Sequence, residues 1–161
     1  MKQTFLFILL TAFSLTPYAT IRYVTVAGDN AMDGTSWSNA YPAAMLQTAI
    51  TASVAGDEVW VAAGVYVPTI GTDRTAAFSM KNDVIIYGSF AGTETAVSQR
   101  IFTNGLTSIL SGEIGLSGLF DNCYHTISNS GLNNTAVIDG FIIRDANDDR
   151  AATLINGLGG G

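Results

Sequence analysis

The chain is poor in the residues from which most active sites are built. It has one cysteine, Cys123, and one histidine, His125, among 161 residues. A single cysteine excludes an intramolecular disulfide, so no covalent staple holds the fold, and Cys123 reads as a small packed side chain. A zinc site or a Ser-His-Asp triad would have to be assembled around His125 alone. A lone histidine within Tyr124-His-Thr-Ile127 reads instead as structural. Charge is scarce as well: charged residues make up 12% of the chain, with seven basic against thirteen acidic side chains. With that excess of acid the chain lacks the basic patch that nucleic-acid binding requires, which excludes nucleic acid as a partner. No apolar run approaches the ~20 residues of a membrane-crossing helix.

What the chain does have is hydrophobic residues, 48% of the total and clustered in strand-length runs, with 17 glycines between them. Low charge with many small polar residues suits an extracellular, β-rich protein with tight turns, and not a disordered one. The first residues read as an export signal, 1–19. Lys2 is the positive start, Phe5-Leu-Phe-Ile-Leu-Leu10 through Leu15 is the apolar stretch, and Pro17-Tyr-Ala19 offers a small residue for cleavage. The mature chain then starts near Thr20 or Ile21, with 6 basic and 13 acidic residues and a net charge of −7. No cysteine stands directly after the apolar stretch, so a lipid anchor is not expected. The expected location is outside the cell or on the outer-membrane surface.

Short apolar strands bounded by glycine recur along the chain. Val59, Val84, Ile109 and Ile138, taken as anchors, stand 25, 25 and 29 residues apart. Such a drifting spacing predicts a stacked solenoid of short buried strands. Strands are predicted at 21–26, 58–62, 65–67, 77–80, 84–87, 107–110, 124–128, 136–138 and 141–143, and the loop 88–105 is the least regular part. A helix is predicted over 42–55, with Ser38 or Asn39 as N-cap and Gly56 as its end. Ala43, Leu46, Ala49, Ile50 and Val54 would form its apolar face. Placed before the first repeating strand, that helix would cover the open end of the stack. The expected fold is therefore mainly β, a right-handed parallel β-helix with an N-terminal amphipathic capping helix. Its parts would be 1–19 signal, 20–56 strand and capping helix, and 57–161 the first rungs. The run Leu158-Gly-Gly-Gly161 reads as a cut within a longer protein, where the next rung would begin.

Several runs also carry a resemblance. Asp33-Gly-Thr-Ser-Trp-Ser-Asn-Ala-Tyr41, Leu46-Gln-Thr-Ala-Ile50 and Gly56-Asp-Glu-Val-Trp-Val-Ala-Ala-Gly-Val-Tyr66 resemble the entry to pectin-lyase-like right-handed β-helix proteins. Tyr87–Thr95 with Ser98-Gln-Arg100, Ile109–Ile114 with Asp121–His125, and Val137–Ile143 extend it. Together they are similar to bacterial secreted surface proteins of the polymorphic outer membrane protein repeat or choice-of-anchor type. The resemblance spans nearly all of 21–161, and it implies further rungs and a C-terminal sorting portion.

The candidate chemistry is thin. A polysaccharide lyase needs several carboxylates around Ca²⁺ and a base, and a glycosidase needs two carboxylates flanking the scissile bond. The densest acidic cluster is Asp139, Asp145, Asp148 and Asp149, with Arg144 and Arg150 beside it, and it reads as a solvated turn. Asp83, Glu113 and Asp139 are spaced so that stacking could bring them into line, but poorly registered. Asp29-Asn-Ala-Met-Asp-Gly34 is faintly like a calcium loop, yet Ala31 stands where a third ligand should be, so an ordinary turn is expected. Asn133-Asn-Thr135 fits a glycosylation acceptor and carries little weight. Arg100 is placed to pair with Glu94. Trp37, Trp60, Tyr66, Tyr87 and Phe90 could form a sugar-stacking platform, with core packing the plainer reading.

No catalytic residue, cofactor-binding residue, metal ligand or cofactor is assigned. The expected function is a secreted or surface-displayed, non-catalytic protein presenting an extended face to polysaccharide, cell-surface glycan or another surface. The alternatives are a polysaccharide lyase or glycoside hydrolase with most active residues beyond residue 161, and a structural spacer.

Overall fold

The structure, a computed structural model, describes residues 19–29, 31–103 and 105–150. The predicted leader, apart from Ala19, and the glycine-rich end from residue 151 onward lie outside the described residues.

Among the described residues, eight short strands and one α-helix form the scaffold. In chain order they are β1 (Ile21–Thr25), β2 (Tyr41–Pro42), α1 (Leu46–Ala52), β3 (Glu58–Ala62), β4 (Gly64–Tyr66), β5 (Ile85–Phe90), β6 (Ser108–Ser111), β7 (Val137–Asp139) and β8 (Phe141–Arg144). Every strand pair is parallel. Five strands form one sheet in the order β2-β1-β3-β5-β7, and three form a second in the order β4-β6-β8. From β3 onward the chain alternates between the two sheets. It turns from β7 into β8 at Gly140, with φ 80°. A Cβ there would lie 2.8 Å from the Gly88 carbonyl oxygen and 2.7 Å from the Arg100 guanidinium, so only glycine fits that corner.

This mixed α/β architecture corrects the expected mainly-β, right-handed parallel β-helix with a capping helix. Three observations overturn it. The two sheets are small and unequal, and the predicted strands at 77–80 and 124–128 reduce to a single parallel bridge, Phe78 to Ile127. The apparent 25-residue period mixes positions from different sheets. Val59, Ile86 and Ile138 are the residues that stand side by side, 27 and then 52 residues apart. In the other sheet Val65, Ile109 and Ile142 are neighbours at 44 and 33 residues. Finally, the helix adds Leu46, Ala49 and Ile50 to one core shared with both sheets.

That core draws Val24, Val59, Val61 and Ile86 from the five-stranded sheet, and Tyr66 and Leu110 from the three-stranded one. Leu46, Ala49 and Ile50 of α1 complete it with Phe78 and Val84. Alternation along β3 sends Val59 and Val61 inward and Trp60 to the opposite face. The helix is shorter than the predicted 42–55. A 3-10 turn, Ala43–Met45, precedes it, and Ser53 ends it in extended backbone with its hydroxyl donating to the Ala49 carbonyl at 2.9 Å. Val54, predicted on the apolar face, is therefore past the helix and exposed. Gly56 serves the turn before β3, its N–H donating to the Asp83 carbonyl at 2.7 Å. Ser36, not Ser38 or Asn39, is the cap, and it caps a separate turn at Trp37–Asn39.

Where the sheets meet, β5 carries a bulge. Trp60 pairs with Tyr87 and Ala62 with Phe90, leaving one residue extra on β5. Ser89 absorbs it in the left-handed region, φ 65°, and is buried. Its N–H donates to the Ser108 hydroxyl at 2.8 Å, and that hydroxyl donates to the Ala62 carbonyl at 2.8 Å. One hydroxyl thus ties β3, β5 and β6 together.

Candidate functional site

The acidic cluster singled out by the sequence is held by arginines. Asp139 Oδ1 lies 3.1 Å from Arg100, Asp145 Oδ2 3.0 Å from Arg144, Asp149 Oδ1 3.0 Å from Arg74, and Asp148 Oδ2 2.6 Å from Arg150. Asp145 Oδ2 also accepts from the Ser111 hydroxyl at 2.7 Å. The Arg150 guanidinium, through its hydrogen bonds, brings the Asp148 carboxyl down to about 2. Each carboxylate therefore faces its own cation, the arrangement of a clamped turn and not of a calcium cage or an acid/base pair. Arg74 and Arg150 also lie over the Tyr124 ring, 4.5 and 4.2 Å from its centroid. His125 is exposed at the edge of this cluster, 3.5 Å from Asp148.

The other predicted carboxylates do not converge. Asp83 precedes β5 in one sheet, Glu113 follows β6 in the other with Oε1 on the Gly118 N–H at 3.2 Å, and Asp139 ends β7. Asp29 and Asp33 turn onto their own loop: Asp29 Oδ1 accepts from Ala31 N–H at 2.8 Å, and Asp33 Oδ1 from the Thr35 hydroxyl at 2.7 Å. The Thr35 hydroxyl and N–H bonds hold the Asp33 carboxyl below the usual range. Asn133 likewise accepts from Thr135 N–H at 2.8 Å as an ordinary turn. The expected Arg100–Glu94 pair is not formed, because Arg100 goes to Asp139. Among the described residues no group of three or more His, Cys, Asp or Glu side chains could hold a metal, and no helix is long and apolar enough to cross a membrane. Cys123 is buried, which raises its thiol pKa, as does the negative charge of Asp73.

The aromatic residues divide between two places. Tyr66 is in the core, its hydroxyl donating to the Ala62 carbonyl at 2.8 Å and burial raising its pKa. Trp60 and Phe90 are buried on the outer face of the five-stranded sheet, where they stack at 4.5 Å. Tyr23 meets Trp60 edge-on at 5.7 Å, and Trp37 closes the group 4.7 Å from Tyr23 and 5.4 Å from Phe90. Tyr87 is half-buried, with Arg100 4.8 Å above its ring. No open sugar-stacking row results. Of the five aromatics singled out from the sequence, Trp37, half-buried, borders a cleft.

That cleft, about 390 Å³, lies between Trp37, the turn after β1 and the loop after β5. Its size falls in the ~300–1,000 Å³ range of small-molecule sites. Ala40 and Ala62 form a buried floor, while Val26, Ala27, Asp29, Ser38 and Ala91 make an exposed rim. Gly28 keeps one wall tight, since a Cβ there would come within 2.3 Å of the Tyr41 carbonyl oxygen. The opposite wall depends on Glu94. Its Oε1 accepts from Ala91 N–H at 2.6 Å and its Oε2 from Gly92 and Thr93 N–H, both at 2.9 Å. The Glu94 carbonyl then accepts from Trp37 Nε1 at 2.8 Å. One residue fixes both the loop and the tryptophan. Burial pushes the Glu94 carboxyl up, but the N–H bonds from Ala91, Thr93, Glu94 itself and Gly92 more than offset this and hold it below the ordinary range.

Little in the sequence points to this cleft, which brings together residues 25–40, 62–63 and 91–92. The available signal was Gly92 followed two residues later by Glu94, a spacing that lets a carboxylate fold back onto preceding N–H groups. No protein-family model, curated protein or solved structure matches the chain.

Proposed function

We propose that this chain is a non-catalytic binding protein displayed outside the cell. The observation that carries the reading is the pairing of Asp139, Asp145, Asp148 and Asp149 with four different arginines. Carboxylates so neutralised and so separated supply neither a Ca²⁺ cage nor a proton-transfer pair. Export is supported by Lys2 and the apolar stretch from Phe5, and display by the resemblance of 33–41 and 56–66 to secreted surface proteins. The partners in this reading are polysaccharide or cell-surface glycan.

The test is retention against cleavage. The full chain is incubated with insoluble neutral polysaccharides and with polygalacturonate, and both bound protein and new reducing ends are measured. Retention without new ends is expected. Cleavage that disappears on Asp139→Ala or Glu113→Ala would replace the binding protein with an enzyme.

A further inference from the structure

We infer that the Trp37 cleft is a binding site for a neutral sugar ring, and that it selects against uronates. The inference rests on the binding reading above and assigns that reading a place and a ligand class.

The chemistry follows from what the walls offer. A pyranose has an apolar C–H face and a rim of hydroxyls, so it needs one aromatic wall and a few hydrogen-bonding groups. Trp37 is the aromatic wall, already fixed by its Nε1 bond to Glu94 and its contacts with Tyr23 and Phe90. The ligand therefore meets a pre-ordered ring and pays little ordering entropy to engage it. Thr25 and Ser38 add hydroxyls at the lining, and Asp29 adds a carboxylate at the rim. Asp29 Oδ1 is engaged by the Ala31 N–H, and Oδ2 can accept from a sugar hydroxyl. The remaining lining is small, including Gly28, Ala63 and Gly92, which leaves room for a ring to approach the backbone.

Charge decides which sugar. Among the described residues, Asp29 is the one ionisable side chain lining the cleft, and no lysine or arginine lines it. A uronate carboxylate placed there would face a like charge with no cation to neutralise it. The chain as a whole adds to this repulsion, with a formal net charge of −6. The resulting preference is for neutral hexose or N-acetylhexosamine units over galacturonate.

Calorimetric titration of the full chain with neutral hexasaccharides of glucose, mannose, galactose and N-acetylglucosamine tests this, with oligogalacturonate as the anionic control. At least one neutral sugar should bind, and oligogalacturonate about tenfold or more weakly. Ala91→Leu fills the cleft from its exposed rim and should weaken the neutral sugar about tenfold or more without lowering the melting temperature. Asp29→Asn keeps an acceptor for Ala31 N–H and removes the charge, so it should narrow the gap between neutral and uronate ligands. Preferred oligogalacturonate, no neutral binding at millimolar sugar, or an affinity unchanged in Ala91→Leu would overturn the assignment. Retention on a polysaccharide that survives both substitutions would remove the cleft yet keep the binding protein, and release of cleaved product would remove the binding protein itself.

Discussion

Trp60 and Phe90 lie face to face on the outside of the five-stranded sheet, centroids 4.5 Å apart and planes 11° from parallel. Trp60 belongs to β3 and Phe90 to the far side of the bulge in β5, so the pair forms only because β5 gains one residue there. Together with Tyr23 and Trp37 they make a second apolar layer, separated by the sheet from the core around Val59 and Val61.

Trp60→Ala should destabilise the chain by about 3–5 kcal/mol, as expected for a buried aromatic ring whose loss leaves a cavity. Phe90→Ala should cost about as much, and the double variant less than the sum, since each ring supports the other. Urea unfolding of the three variants measures this. An additive pair would show that the rings contribute separately.

Much of the scaffold was legible locally. Val59-Trp-Val61, Val84–Tyr87 and Phe141–Ile143 are short apolar runs between turn residues, and β3, β5 and β8 sit on or within a few residues of them. The assembly was not legible. Val59 and Ile109 look like equivalent members of one repeat, yet they lie in different sheets, and Val84 stands just ahead of its strand. Short apolar strands carry no mark of which sheet they join. The distant arginine partners of the acidic turn were hidden for a related reason. Asp149 meets Arg74 from 75 residues away and Asp139 meets Arg100 from 39, distances over which charge patterning says nothing.

Glu94 gives the cleft a pH dependence. Its folded carboxyl has a lowered pKa, so between its unfolded and folded values the unfolded chain holds the extra proton. Stability therefore rises with pH through that window. The contribution is fully present above the unfolded value, about 4.5, and is lost as pH falls through the folded one. Glu94→Gln should flatten this part of the profile, leaving the slope from other lowered carboxyls such as Asp33 and Asp148. Glu94→Ala should cost about 1–3 kcal/mol near neutral pH by stranding N–H groups of the loop. Thermal unfolding from pH 7 down to about pH 3 checks both, and an unchanged slope in the glutamine variant would rule out Glu94 as the source.

Arg100 should act through stacking more than through its ion pair. Its side chain is nearly buried, 4.8 Å from the Tyr87 centroid and 5.0 Å from that of Phe102, whereas Asp139 is half-exposed. Arg100→Lys keeps the charge but loses the planar contact, and should cost about 1–2 kcal/mol. Asp139→Asn should cost under about 1 kcal/mol, as exposed ion pairs usually do. Equal losses in thermal unfolding would put the stabilisation in the ion pair instead.

Ser89 offers a test of the bulge itself. It holds φ 65° inside the protein, a conformation that costs an L-residue roughly 1–2 kcal/mol. Its hydroxyl donates to the Gly140 carbonyl at 2.8 Å, and its N–H is the donor to Ser108. Ser89→Ala removes only the hydroxyl bond and should lose about 1 kcal/mol. Ser89→Gly removes the same bond but also relieves the left-handed strain, so it should be more stable than the alanine variant by roughly 1 kcal/mol. That order reverses the usual penalty for glycine in a strand. Equilibrium unfolding of the two variants decides it: alanine above glycine would mean that residue 89 is not held left-handed, and the register by which β5 brings Phe90 to Trp60 would be wrong.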